Sequence, residues 1–323
     1  MRAIICREIA EEIGTVQLEE LPSRPLKPGE VRIAMRAASV NFPDILTIQG
    51  KYQHKPPLPF TPGMEGAGDV IEVGEGVTKL KVGDKVVGGS KTGAFAAEAI
   101  GTETSVRLIP EGMDYIAAAA FPAAYLTAYV AFYRRGNLQP GETALIHGAA
   151  GGVGVAAVDL ALHLGARVIA TASTEEKRNF LSQRGCHLVL PPSGFREAVK
   201  DFTGGKGADV VYDPVGGDVF DESARCIAFD GRLLIIGFTS GRIPTISVNM
   251  PLIKGYSVVG VRAGEYGRRF PDRGRENIEA IDRLAAEGVI RPYVCRTFPL
   301  EQAVDAMRML QDRTVIGKVV VTM

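Results

Sequence analysis

Neither sign of charge is in excess: 37 Lys and Arg residues balance 37 Asp and Glu residues, with no sustained basic run. That removes the electrostatic case for a nucleic-acid or membrane-surface partner and leaves a small molecule as the expected one. Cysteine is scarce. Cys6, Cys186, Cys226 and Cys295 are far apart and form no CxxC pair, so neither a disulfide framework nor a structural zinc is supported, and a reducing cytoplasm is the expected compartment. Long apolar runs are missing as well. No stretch approaches the ~20 uninterrupted apolar residues of a membrane span, and acids soon interrupt the N-terminal apolar run, so neither secretion nor membrane insertion is expected. Repeats, low-complexity tracts and long disordered linkers are also absent.

What is present suits a folded two-domain chain. Apolar residues make up 46% and charged residues 23% of 323 residues, enough for a sizeable core, and at roughly 150 residues per domain the length suggests two domains and a cleft. Up to about residue 110, short β segments such as "EVRIAMRAASV", "GDVIEVG" and "DKVVGG" alternate with Gly/Pro turns. From about 122 the rhythm changes to strand, helix, strand: "TALIHG", "GVAAVDLALHLG", "ARVIATA", "TEEKRNFLSQRG", "HLVLPP", "FREAVKDFTG", "ADVVYDPV". This alternation implies an α/β fold with a doubly wound parallel sheet, continued by "RLLIIGF" and "YSVVGV" to six strands. The helices read in "RENIEAIDRLAAEGVI" and "LEQAVDAMRMLQ" and the last strand "GKVVVTM" differ in rhythm and are expected to rejoin the first domain. The expected division is 1–121 with 264–323, and 122–263.

The strongest chemical signal is "ALIHGAAGGVGVAAVDLALHLGARVIATAS". A buried strand ends at Gly148, and a Gly-rich turn carrying AxGxxG (Ala149, Gly151, Gly154) leads into a helix, the context a dinucleotide fingerprint requires. Ala150, Gly151, Gly152 and Val153 would bring backbone N–H groups to a pyrophosphate, while Gly154 would permit close packing of helix on strand. An NAD site would place an acid at the end of the next strand, where "VIATASTEEKR" has Ala172 and Ser173, so NADPH is expected. Ser173, Lys177 and Arg178 are the candidate contacts to its 2′-phosphate. The competing reading makes Ser173 a helix cap paired with Glu176 and leaves Lys177 solvated.

The segments "ASVNFPDILTIQGKY", "PGMEGAGDVIEVGEGV", "GAFAAEAI", "FPAAYLTAYVAF", "LQPGETALIHGAAGGVG", "DVVYDPVGGDVF", "GRLLIIGF" and "GKVVV" resemble the medium-chain dehydrogenase/reductase superfamily over essentially the whole chain. The likeness is to its zinc-free, zeta-crystallin-like quinone oxidoreductase branch. It implies a discontinuous GroES-like catalytic domain, an inserted Rossmann domain with a six-stranded sheet, and an active site in the cleft. Zinc-dependent relatives have GHE where this chain has Gly63-Met64-Glu65, and a cysteine near the place of Asn41; a thioether and an amide do not replace imidazole and thiolate for zinc. The four-cysteine lobe is missing too, so no metal is expected, and Glu65 should pair with a nearby base or with backbone donors.

The resemblance places Asn41, Tyr52 and Thr127 near nicotinamide and substrate, with Asn41 and Thr127 also touching cofactor, and sets the backbone of Gly237 and Phe238 beside the nicotinamide. Read from the residues alone, Asn41 is a turn residue before Phe42-Pro43, Thr127 a helix residue bonded to its own backbone, and Tyr52 a rim residue packing on proline. His54 sits in the same Pro-rich loop as Tyr52, and His147 and His163 read as structural. Some relatives have a tyrosine after the third Rossmann strand where this chain has Pro191-Pro192.

The resulting expectation is hydride transfer from NADPH to a quinone or an α,β-unsaturated carbonyl without zinc. The arginine-rich "VRAGEYGRRFPDRGRENIEAI" raises an enoyl-CoA or acrylyl-CoA reductase as the alternative, with a solvated loop as its plainer reading. An NADPH-binding structural or RNA-binding crystallin-like protein is the alternative of another class. Relatives pair the edge strands of their Rossmann sheets, so "TISVNMPLIKGYSVVGV" is read as apolar strand surface for a homodimer, or else as a buried internal strand.

Overall fold

The computed structural model describes residues 1–323. They form two compact units, Met1–Pro122 with Pro292–Met323, and Ala123–Arg291. The expected return to the first unit at 264 comes later, at Pro292. Helices Ala263–Arg269 and Pro271–Ala286 stay with the second unit. The longer one buries Asn277, Ile281, Leu284 and Ala285, and Arg134 grips it through Asn277 Oδ1 at 2.8 Å and Glu276 at 2.7 Å.

The second unit is built on the expected six-stranded parallel sheet. Its spatial order is Leu188–Leu190, Arg167–Thr171, Thr143–Ile146, Ala208–Asp213, Ile227–Ile235, Ser257–Gly260. The chain moves outward over its first three strands and then returns to pair Ala208–Asp213 with Thr143–Ile146. The switch point therefore lies between those two strands, whose carboxyl ends are where ligands bind in such sheets. Both are buried almost throughout, which accounts for their runs of Ala, Val, Leu and Ile without alternation. The core around them includes Leu145, Ile169, Phe195, Val211, Leu233 and Tyr256.

The span "TISVNMPLIKGYSVVGV" is not one strand. Its middle is a helix, Asn249–Lys254, closed by Gly255 in the left-handed conformation at φ 62°, and only Ser257–Gly260 joins the sheet, at its edge. The Pro251 ring, inside the first helical turn, is tolerated there and would interrupt a strand ladder.

In the first unit the ten-residue strand Glu30–Ser39 is the organiser. It pairs antiparallel with Glu65–Val73, with Glu98–Thr102 along its first half and with Lys318–Thr322 along its second. The closing segment thus reaches the centre of the N-terminal sheet. The register sets Val320 opposite Ser39 and Val321 opposite Ala38. Extending it by two residues brings Lys318 level with Asn41.

In place of the turn that Asn41 before Phe42-Pro43 suggests as its plainer reading, a helix, Phe42–Ile48, starts there. Asn41 is its cap, a proline occupies the first turn and Asp44 completes a capping box. These are standard start signals that a β-dominated context obscures.

Candidate active site

The Gly-rich turn lies at the carboxyl end of the central strand Thr143–Ile146, on one side of the switch point. Helix Gly152–His163 begins with Gly151 as its cap, and no side chain caps its first turn. The N–H groups there point to no protein acceptor of their own, which suits a pyrophosphate. A Cβ on Gly154 would collide with the Gly148 carbonyl and the Ala149 backbone, so only glycine lets the helix sit this close to the strand. Ala150 is buried, with Gly151, Gly152 and Val153 half-buried. His147, in the same turn, is structural as expected: it is fully buried between Thr171 Oγ1 at 2.9 Å and Ser223 Oγ at 2.8 Å.

At the end of Arg167–Thr171, Ala172 is buried and Ser173 exposed. The cap of helix Glu175–Gln183 is Thr174, whose side chain accepts from Lys177 N at 3.3 Å; the reading of Ser173 as cap with Glu176 is corrected by one residue. Arg178 folds back over the strand end and donates to the carbonyls of Ala172 and Ser173 at 3.3 and 3.1 Å. Ser173, Lys177 and Arg178 thus share one strand end and the helical turn after it.

Across the switch point, the loop after Ala208–Asp213 is pinned by Asp213, whose Oδ1 accepts from Val215 N at 2.8 Å and Gly216 N at 2.9 Å. Burial pushes the Asp213 carboxyl up, and those two bonds oppose the shift. Gly216 has φ 69°, and a Cβ there would press on the Phe238 ring. The backbone of Gly237 and Phe238 therefore lies directly against this loop, with Thr239 N bonded to Pro214 O at 3.1 Å.

Thr127 lies on helix Pro122–Tyr129 and donates its hydroxyl proton to Ala123 O at 2.7 Å, so toward a ligand it offers only acceptor lone pairs. Two residues earlier, the buried Tyr125 donates to Asp159 on the cradle helix at 2.5 Å, and Arg184 clamps the same carboxylate at 2.6 and 2.7 Å. This triad locks the helix of Thr127 to the helix of the phosphate cradle.

In the first unit, Asn41, Glu65 and Lys318 meet although they are 24 and 277 positions apart. Asn41 Nδ2 donates to Glu65 Oε1 at 2.9 Å and to Ser39 O at 3.3 Å, and Lys318 Nζ donates to Asn41 Oδ1 at 2.7 Å and Glu65 Oε1 at 3.1 Å. Glu65 is 2% exposed, Asp44 3% and Lys318 6%. Ions this deep persist only when paired. The base expected beside Glu65 is thus Lys318. Asp44 accepts from Asn41 N at 2.8 Å; desolvation pushes its carboxyl up to about 7, opposed by backbone bonds and the Lys318 charge.

Lys318 and Asp44 carried no assignment in the sequence reading, although a signal existed for each. A lysine opening the buried run "KVVVT" requires a carboxylate partner, and Asp44 stands three residues after Asn41, the capping-box spacing. Tyr52 is half-buried in the irregular segment after helix Phe42–Ile48.

Among the arginines of 262–275, Arg268 and Arg269 pair with Glu265, Arg275 pairs with Asp272, and Arg273 bonds the Tyr266 hydroxyl. Three of these arginines thus meet carboxylates of their own helices, and Arg273 meets a neutral hydroxyl. No group of three or more His, Cys, Asp or Glu is placed to hold a metal ion, and no helix is long and apolar enough to cross a membrane.

Residues 27–127 match the alcohol dehydrogenase GroES-like domain and residues 152–283 the zinc-binding dehydrogenase family. The mouse quinone oxidoreductase-like protein 2 is 38% identical over 325 aligned residues, covering 100% of this chain and 92% of that protein. The chain belongs to the medium-chain dehydrogenase/reductase superfamily, in its quinone oxidoreductase branch. Among solved structures of this superfamily, Escherichia coli quinone oxidoreductase complexed with NADPH superposes with a TM-score of 0.91 at 29% identity, covering 100% of both chains. An NAD-dependent alcohol dehydrogenase superposes equally well, at 0.91 with 30% identity and 100% of both chains covered. As a member of the superfamily the chain is an oxidoreductase of small molecules that uses a nicotinamide cofactor.

Proposed function

We propose that the protein is a zinc-independent, NADPH-dependent reductase of quinones or α,β-unsaturated carbonyls. The observation that carries this reading is the state of Glu65: its carboxylate is engaged by the Lys318 ammonium and the Asn41 amide. With Met64 beside it in place of an imidazole, this set favours an acceptor that takes hydride without a Lewis acid.

Bound NADPH supplies the hydride. The turn Ala150–Val153 and the open start of its helix receive the pyrophosphate, Ser173, Lys177 and Arg178 the 2′-phosphate, and Gly237, Phe238, Asn41 and Thr127 the nicotinamide end. Since the fold is shared equally with NADPH- and NAD-dependent relatives, the cofactor choice rests on these side chains: no acid stands at the end of Arg167–Thr171, and two cations follow it. Tyr52 is assigned to the substrate side. The chain's remaining task is to hold donor and acceptor atoms about 3–3.5 Å apart and to keep water from them.

The internal pairing of Arg268, Arg269 and Arg275 weakens the case for a CoA thioester. Dimerisation through the Ser257–Gly260 edge is part of the proposal, supported by exposed Val248, Leu252 and Ile253 beside it.

The deciding experiment is NADPH oxidation measured against a panel of quinones, enones and enoyl-CoA esters, with and without chelator. Turnover of quinones or enones that is indifferent to chelation is expected. Turnover confined to CoA esters, or abolished by chelation, would refute the proposal.

A further inference from the structure

Four backbone N–H groups of the second unit converge on Asp213, the last residue of the strand Ala208–Asp213. Its Oδ1 accepts from Val215 N at 2.8 Å and Gly216 N at 2.9 Å. Its main-chain carbonyl accepts from Ile236 N at 2.9 Å and Gly237 N at 3.4 Å. The first pair belongs to the loop after its own strand, the second to the loop after the neighbouring strand Ile227–Ile235. The seam between the loops continues with Thr239 N on Pro214 O at 3.1 Å and Ser240 N on Val215 O at 3.0 Å. Asp213 is 1% exposed, and the hydrogen bonds of its carboxylate go to backbone alone.

One donor is left over. Gly217 N reaches Arg242 O at 3.1 Å and Gly241 N the Phe238 carbonyl at 2.9 Å, so that within 214–217 and 236–241 the N–H of Phe238 alone meets no acceptor. An open backbone donor at the carboxyl edge of the sheet, one strand from the switch point, suits a carbonyl oxygen on a ligand.

We propose that Asp213 is a positioning residue that fixes the Phe238 N–H by clamping the two loops to each other. The loop it holds is one that would otherwise wander: Gly216 and Gly217 have φ 69° and 58°, and glycine has the most backbone freedom to lose. A carboxylate accepting from the N–H groups two and three residues ahead closes such a turn locally. A Cβ on Gly216 would stand 3.0 Å from the Phe238 ring, so the clamped loop sets the ring, and with it the Phe238 backbone, by direct contact. The inference rests on the proposed reading that Gly237 and Phe238 flank the nicotinamide end. It adds the residue that holds them in place and the acceptor character of the group they meet. All of these residues lie in the same unit as the Gly-rich turn.

The test measures binding to the full chain without turnover, by fluorescence or calorimetry, with NADPH and its fragment adenosine 2′,5′-bisphosphate as probes. Asp213→Ala is expected to weaken NADPH about tenfold, the size of one misplaced hydrogen bond. The fragment, which lacks the nicotinamide half, should bind as before. Asp213→Asn keeps an oxygen with two lone pairs for the same two N–H groups, and should bind NADPH as the wild type does. Gly216→Ala displaces Phe238 without touching the carboxylate and should reproduce the selective loss, which carries the test should Asp213→Ala fail to fold. An equal loss for the fragment, unchanged NADPH affinity in both alanine variants, or an asparagine variant as weak as Asp213→Ala overturns the inference. Gly237→Val adds a side chain to the backbone read as flanking the nicotinamide. Unchanged NADPH affinity in that variant would instead overturn the reading of this backbone as a cofactor contact.

Discussion

The Ser223 hydroxyl lies 2.8 Å from His147 Nε2 and gives its own proton to Val219 O at 2.7 Å. Ser223 must therefore accept from His147, which puts the imidazole proton on Nε2 and leaves Nδ1 to accept from Thr171. The neutral ring is fully satisfied between three strands and helices of the second unit, and desolvation drives its pKa from 6.5 down to about 3.

A histidine whose folded pKa is depressed contributes stability that is complete above its unfolded value and is lost as pH falls from about 6.5 toward 3. At pH 5 the loss amounts to about 2 kcal/mol. Urea unfolding of wild type and His147→Gln at pH 8 and pH 5 should show the wild-type advantage shrinking by that amount. An advantage independent of pH would show that the ring titrates normally.

Asp44 has the opposite sign. Its carboxyl is raised to about 7 from 3.8, so the folded state holds the proton more tightly than the unfolded chain. Its contribution is complete below about 3.8 and declines as pH rises to about 7. Asp44→Asn mimics the protonated form, so its thermal stability relative to wild type should rise between pH 5 and pH 8. A constant difference would mean that Asp44 is ionised throughout.

Gly154→Ala should separate the cradle helix from its strand, because the new methyl meets backbone atoms of Gly148 and Ala149 that cannot rotate away. A loss of about 2–3 kcal/mol is expected from overpacking, together with weaker binding of both NADPH and NADH. Unchanged stability with unchanged binding would contradict the close approach.

Lys177→Ala should weaken NADPH much more than NADH, since only the former carries the 2′-phosphate next to the Ser173–Arg178 segment. Loss of a charge-assisted contact is worth about 1.5–3 kcal/mol, a tenfold or larger change in Kd. Equal effects on the two cofactors would remove Lys177 from the site.

Leu252 and Ile253 are 81% and 73% exposed on the helix that precedes the edge strand Ser257–Gly260. Leu252→Glu should convert a dimer to monomer in sedimentation velocity with little change in thermal stability at low concentration. A wild type that sediments as monomer would dismiss the interface.

Much of this architecture is legible locally. The Gly-rich turn, the β/α alternation from Thr143 to Gly260 and the missing acid at Ala172-Ser173 are short-range patterns, because caps, turns and periodicities depend on residues a few positions apart. The same local logic held the signals for the Phe42–Ile48 helix, but the strands around it drew the reading to a turn. It misled at 245–261, where apolar β-branched residues suggested strand and Pro251 with Gly255 make a helix instead. A run of apolar residues reports burial or contact and leaves its geometry open.

The cluster of Asn41, Glu65 and Lys318 belongs to the other category. Sequence by itself determined that Glu65 stands beside a methionine and that a lone lysine opens the last apolar strand. Only the tertiary structure decided that the two meet, and that Asn41 lies between them with its oxygen toward the ammonium. Two strand pairings, one spanning nearly the whole chain, set those side chains level, and pairing register depends on the entire sheet rather than on any local run of residues.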